Sequence, residues 1–216
     1  MYAELHAISN FSFLRGASHP QELVQRAAEL GYAAIALTDE CSLAGAVRAH
    51  LAAREYGIRL ILGSEFRLRE GIHLVLLAPD RTAYGDLASL ISLGRRRSPK
   101  GEYDLGLDDL PPYARHCLAL WRPDRDCDPA TGTRLHALFE KRLWIGIARH
   151  LDGDDDAFAA QCHTAALLDI PPVACGAVTM HCAQRKPLQD ALTAIRRNTG
   201  QRNKAHHNRY RQIVFQ

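Results

Sequence analysis

The chain has 216 residues, 47% hydrophobic and 24% charged, with a formal net charge of +3. That is the length and composition of one ordinary globular domain able to bury a full core, and it excludes collagen-like, disordered and disulfide-scaffold classes. A charge this small does not by itself argue for nucleic acid, and no apolar run approaches the roughly 18–20 residues of a membrane span.

Tyr2 to Ile8 reads as a first strand. Ser18-His19-Pro20-Gln21 has the spacing of a capping box and predicts a helix from Pro20 to about Leu30, with Gly31 as its C-cap. Ala33 to Leu37 is a strand-length apolar run ending in Thr38-Asp39-Glu40. Ser42 is a candidate cap for a second helix that stops at Gly57. Arg59 to Leu62 forms a third strand and leads into Gly63-Ser64-Glu65. After a turn at Glu70-Gly71, Ile72 to Leu77 is the next strand, and Tyr84 to Leu93 is helical, ending in Arg95-Arg96-Arg97. A polar, turn-rich stretch runs from Ser98 to Pro112. Then come a strand from Cys117 to Trp121, a helix from Thr133 to Lys141, and a strand from Leu143 to Ala148 that delivers Arg149-His150. A helix from Asp154 to Leu168, a strand from Val173 to Val178 and a helix from Pro187 to Arg197 complete the order.

Strands alternating with helices predict a largely parallel sheet with helices outside it. About seven strands suit a closed or nearly closed barrel better than a short open sheet. No G-x-G-x-x-G follows the first strand and no Walker A motif occurs, so dinucleotide and P-loop folds lack their fingerprints. The segment 197–216 carries no acidic residue and little apolar periodicity, which predicts a poorly ordered basic tail. The six cysteines form no C-x-x-C pair and read as free thiols. The N-terminal Met1-Tyr2-Ala3-Glu4-Leu5-His6 lacks the basic and apolar regions of a signal peptide, so the expected compartment is the cytoplasm, with no membrane partner.

Functional groups of such a barrel sit at the C-terminal ends of its strands. The polar residues there are His6, Asp39-Glu40, Glu65 and Arg149-His150. Imidazoles and carboxylates converging on one mouth suit divalent metals, which polarise a phosphoryl group and activate water. Any one of them alone is more often an ordinary hydrogen-bonded side chain.

Leu5-His6-Ala7-Ile8-Ser9-Asn10-Phe11-Ser12-Phe13-Leu14-Arg15-Gly16-Ala17-Ser18 resembles the first motif of the PHP (polymerase and histidinol phosphatase) domain. Leu37-Thr38-Asp39-Glu40-Cys41-Ser42-Leu43-Ala44-Gly45 resembles its second. Gly63-Ser64-Glu65 and His73-Leu74-Val75-Leu76-Leu77-Ala78 resemble the third and fourth. The spellings of the first two motifs, with Leu188-Gln189-Asp190-Ala191-Leu192-Thr193-Ala194-Ile195-Arg196, look like the error-prone bacterial C-family DNA polymerases, relatives of the polymerase III alpha subunit. The resemblance implies an α/β fold, a distorted (β/α)7 TIM-like barrel of the PHP type over residues 1–196.

It also implies a metal site, from which this sequence departs. His6, Glu65, His73 and His150 stand at positions that match family ligands. Ile8, Arg15 and Glu40 stand where the family has histidine, an acidic residue and histidine, and Ala177-Val178-Thr179 lacks a further Asp and His. The remaining set, His6, Glu40, Glu65, His73 and His150, could hold one divalent ion, zinc, manganese or magnesium. Cys175, His181 and Cys182 lie near the damaged last motif and read as buried thiols and a surface histidine, or as substitutes. A second account pairs Arg15 with Glu40 or Glu65, replacing metal charge with guanidinium charge.

Arg95-Arg96-Arg97 reads as a helix C-terminus favoured by the macrodipole, or as a phosphate contact for DNA. Asp154-Asp155-Asp156 complements a helix N-terminus. The expected function is that of the PHP module of an error-prone, translesion polymerase, structural in replication and repair. It would pack on the polymerase core or other DNA-repair proteins and carry no catalytic residue of its own. The alternative is a metal-dependent phosphoesterase or 3′–5′ exonuclease. A free-standing small-molecule phosphatase is the third reading.

Overall fold

The computed structural model describes residues 2–124, 128–148 and 155–197. Seven strands follow one another around a sheet in chain order: β1 (Ala3–Ala7), β2 (Ala34–Leu37), β3 (Arg59–Arg67), β4 (His73–Ala78), β5 (Leu118–Trp121), β6 (Leu143–Ile147) and β7 (Pro172–Ala174). Ile8 N–H donates to the Val178 carbonyl at 2.8 Å and Val178 N–H to that of His6 at 2.9 Å. The chain beyond β7 therefore meets β1 and closes the ring. The helices are α1 (Pro20–Glu29), α2 (Ala46–Tyr56), α3 (Arg81–Arg96), α4 (Leu110–Tyr113), α5 (Pro129–Phe139), α6 (Asp155–Leu168) and α7 (Lys186–Arg196).

β4 pairs antiparallel with both β3 and β5, while the other strand pairs are parallel. The reason is local. Only five residues separate β3 from β4, too few for the helical crossover that a parallel pair needs, and Gly71 turns the chain at a φ of +77°. This reversal carries the start of β4, rather than its end, to the mouth where its neighbours finish.

α3 and α5 begin at Arg81 and Pro129, ahead of the expected Tyr84 and Thr133, and β7 ends at Ala174 rather than Val178. The caps of the first two helices also differ from expectation. α1 is capped at His19, whose N–H donates to Glu22 at 2.7 Å, and Ser18 serves elsewhere. Ser42 does not open α2, which begins at Ala46; its hydroxyl accepts from Ala44 N–H in the preceding turn.

Three apolar clusters hold the layers. Leu23, Val24 and Ala27 of α1 and Ala49 of α2 pack on Ile35 and Leu37 of β2. Leu87 and Leu90 of α3 and Leu135 and Phe139 of α5 belong to a larger cluster with Phe66, Leu74, Leu76 and Trp121. The third comprises Ala36, Val75, Leu77 and Leu120, with Leu5, Ile61, Leu118, Trp144 and Val173 against them. It draws on all seven strands, so it fills the interior of the barrel. Strand alternation continues that inward face to His73 on β4 and to Arg122 just past β5. The interior is thus apolar below and ionic at its mouth.

Candidate functional site

Four of the sequence-predicted ligands meet at that mouth. The β1–β2 register shifts between Glu4 and Ala7, and His6 lies in the shift. Glu65 lies in β3, and Glu40, just past β2, bridges to it. His73 opens β4. His6, Glu65 and His73 are all buried, and their ligand atoms lie within 4.8 Å of one another. His150 and Arg149 lie outside the described residues.

The loop after β1 delivers a further group into the cluster. Asp39 accepts from Ser9 N–H at 2.8 Å, Ser9 Oγ at 2.7 Å and Ser12 Oγ at 2.6 Å, which fixes the loop to the end of β2. Gly16 permits the fold-back, since a Cβ there would sit 1.9 Å from the Ser9 carbonyl oxygen. Buried Gln189 on α7 donates from Nε2 to the Arg15 carbonyl at 2.8 Å. The result is that Arg15 turns inward. Its Nη1 lies 2.5 Å from Glu40 Oε2 and 2.6 Å from Glu65 Oε1, and its Nη2 is 3.3 Å from Glu65 Oε2.

The hydrogen bonds fix the protonation pattern. His6 Nε2 is 2.7 Å from Glu65 Oε2, and His6 Nδ1 is 3.3 Å from Arg122 Nη1. The arginine can only donate, so Nδ1 accepts and Nε2 carries the proton toward the carboxylate. Burial pushes the His6 imidazole down to about 4 despite the carboxylate beside it. Burial also lowers His73. Burial alone would raise Glu65, but His73, the His6 hydrogen bond and Arg15 outweigh it and hold the carboxyl well below its usual range. Around Arg15 the two carboxylates overcome the desolvation and raise the guanidinium. The mouth is therefore an ionised arginine clamped between two glutamates, with two imidazoles beside it whose proton affinity burial lowers.

The donor set has the spacing for a divalent cation, and His73 Nε2, 3.1 Å from Glu65 Oε1, is buried without an aligned hydrogen-bond partner. The charges oppose it. A dication about 4 Å from a guanidinium is repelled by about 8 kcal/mol at an effective dielectric of about 20. Both Glu65 oxygens, the strongest donors of the set, already face Arg15. With Arg15 in place these residues do not fit a metal.

Two participants were not read from the sequence. Arg122 extends the inward alternation of Leu118 and Leu120 by one step, a signal that was present. Tyr103, whose hydroxyl donates to Glu40 Oε1 at 3.0 Å, comes from the turn-rich stretch and had no pattern to mark it. Arg95, Arg96 and Arg97 do not converge. Arg95 donates to the carbonyls of Glu40, Cys41, Gly101 and Glu102, Arg97 Nη1 lies 2.7 Å from Asp109, and Arg96 is exposed at the end of α3.

A family model described as the PHP domain matches residues 4–125. The chain is 55% identical over 198 residues to the error-prone DNA polymerase of Methylococcus capsulatus and 50% identical over 200 residues to that of Teredinibacter turnerae. Those alignments cover 91% and 92% of this chain but 19% of each polymerase. Among solved structures, a protein assigned as a metal-dependent phosphoesterase from Bifidobacterium adolescentis superposes with a TM-score of 0.60 at 15% identity, covering 83% of this chain and 88% of that one. An amidohydrolase from Chromobacterium violaceum superposes with a TM-score of 0.59 at 18% identity and the same coverage. These two likenesses are of fold.

Proposed function

Because the chain belongs to the PHP domain family, we propose that it is the structural PHP module of an error-prone, translesion DNA polymerase, its barrel mouth held by Arg15 instead of a catalytic metal cluster. The single observation that carries this reading is the Arg15 guanidinium lying between Glu40 and Glu65. A cation fixed to the chain there needs no metal supply and offers no open coordination position to a phosphate. Its work is to hold the loop after β1 against β2 and β3. The similarity to about a fifth of each polymerase supports the polymerase core as the surface this module packs on. Cytoplasmic location follows from the same reading; among the described residues no helix is long and apolar enough to cross a membrane. Arg95–Arg97 is the segment offered for contact with DNA, Arg96 and Arg97 being its exposed side chains; the expected basic tail lies, from residue 198 on, outside the described residues.

A second reading is a metal-dependent phosphoesterase or 3′–5′ exonuclease with one zinc, manganese or magnesium ion. The spacing of His6, Glu65 and His73 and the unaligned His73 Nε2 favour it. It requires Arg15 to leave the mouth.

Elemental analysis of the purified chain decides between them, alongside hydrolysis of a phosphate monoester and of single-stranded DNA with added manganese. The module reading expects no stoichiometric metal, no turnover, and a melting temperature unchanged by EDTA. Stoichiometric metal with turnover that disappears in His6→Ala would overturn it.

A further inference from the structure

A second ordered cluster of reactive side chains lies just past the damaged last motif, outside the mouth. Cys182 Sγ is 3.2 Å from His181 Nε2, and His181 Nδ1 is 2.8 Å from Ser18 Oγ. The Ser18 hydroxyl, free of any capping role, also accepts from the His181 main-chain N–H at 2.9 Å. Ser18 is 1% exposed and held by β1-loop contacts, so its oxygen is fixed beside the ring. With Nδ1–H donating to Ser18, the lone pair of Nε2 points at the Cys182 sulfur. Glu22 Oε2 stands 3.8 Å from Nδ1 and would stabilise positive charge on the ring. That is a thiol, a base aimed at it, and two groups that orient the base.

We propose that Cys182 is a nucleophilic thiol activated by His181, a modification site that forms mixed disulfides with low-molecular-weight disulfides. The thiol proton passes to His181 Nε2 as the sulfur attacks one sulfur of the reagent. A new S–S bond forms at Cys182, the reagent's own S–S bond breaks, and the departing thiolate takes the proton back from His181. Cys182 is oxidised from thiol to disulfide, the released half of the reagent is reduced to thiol, and no other reactant is needed. Burial favours the neutral form of His181, the form that can accept the thiol proton. The charges that face it are Glu22, Arg26 and Glu29 of α1 and Arg185 beyond Cys182, with Arg185 Nη2 2.5 Å from Glu22 and partly offsetting it.

The other described thiols provide internal controls. Cys41, Cys117 and Cys175 are buried, and burial pushes them up to about 12, 12 and 11. Cys162 on α6 is half-buried like Cys182.

The test treats the 216-residue chain with oxidised glutathione across pH 6 to 9 and maps each mixed disulfide by mass spectrometry. At pH 7 Cys182 is expected to react at least about tenfold faster than Cys162, and His181→Gln, with its melting temperature checked, to remove about that factor. Cys182 reacting no faster than Cys162, or at the same rate in a folded His181→Gln, would overturn the proposal. If His181→Gln does not fold, the Cys182 to Cys162 ratio in the unaltered chain decides. These outcomes do not depend on whether the barrel mouth binds a metal.

Discussion

Among the described residues three carboxyl groups are buried to within 2% exposure, and their surroundings divide them into two kinds. Glu65 faces Arg15, two imidazoles and, at 3.7 Å, Arg67 Nε. Asp39 and Glu4 face main-chain N–H groups and hydroxyls. Asp39 binds Ser9 and Ser12, while Glu4 accepts from His6 N–H and Gly176 N–H at 2.8 Å and from Tyr2 Oη at 3.0 Å. The consequences run in opposite directions. The partners of Glu65 overcome burial and hold it ionised. For Asp39 and Glu4 burial is the larger effect and their carboxyls are raised, the hydrogen bonds only moderating it. Neutral donors are enough to position a chain segment, whereas a full counter-charge belongs where the mouth must neutralise two glutamates. The Arg15 guanidinium answers that electrostatic need.

The largest effect expected from breaking this contrast is at Arg15. Arg15→Ala leaves buried Glu65 without its nearest cation, with Arg67 Nε at 3.7 Å and the two imidazoles still facing it, at a cost of up to about 3–5 kcal/mol. For a chain of this size that corresponds to a melting temperature lowered by roughly 10 °C. Adding Glu65→Gln removes the uncompensated charge, so the double variant should recover a large part of the loss by differential scanning calorimetry. A double variant no better than Arg15→Ala would show that the guanidinium acts by packing rather than by charge.

Asp39→Ala comes next. It strands the Ser9 N–H and two hydroxyls in a buried loop anchor, at about 2–3 kcal/mol. Asp39→Asn keeps one carbonyl acceptor and should cost less than half as much. Equal losses in the two variants would place Asp39 with the charged class.

How far these roles were legible depended on whether they were local. The strands are short apolar runs, and Ala34–Leu37 and Leu143–Ile147 stand within a residue of where alternation and turn residues put them. The direction of β4 was not legible from apolar pattern, which is blind to polarity of the chain. A rule that seeks function at strand ends therefore passes over His73, which only the family motif marked. The Arg15 pairing was legible because a basic residue at an acidic position raises the question of its partner. Tyr103 was not, since its role depends on where a loop 63 residues away from Glu40 comes to rest.

Acid should sharpen the contrast with a moderate effect. His6, at about 4 in the folded chain and near 6.5 unfolded, binds its proton more readily when unfolded. Stability is therefore full above about pH 6.5 and declines as pH falls toward 4, by about 3 kcal/mol from this residue. His73 adds a loss of the same sign, and Glu65 a further one below the ordinary carboxylate range. Asp39 and Glu4, raised in the folded state, oppose it. His6→Gln should flatten the fall in urea midpoint between pH 7 and 4.5, and an unchanged slope would remove His6 from the account.

The smallest effect belongs to Glu4→Gln, and its sign is the informative part. The amide keeps a carbonyl oxygen for the His6 and Gly176 N–H groups, and the Tyr2 hydroxyl can rotate to accept from the new NH2, so the loss at pH 5 should stay within about 1 kcal/mol. The carboxyl it replaces has a folded pKa above its unfolded one. Its contribution to stability is thus fullest in acid and fades as pH rises through the folded value. Gln does not titrate, so the variant should gain on the unaltered chain between pH 5 and 8, opposite to the trend expected for removing His6. A Glu4→Gln variant that instead falls further behind as pH rises would mean Glu4 is held ionised, and the division between charge-compensated and neutral-bonded carboxyls would fail at that residue.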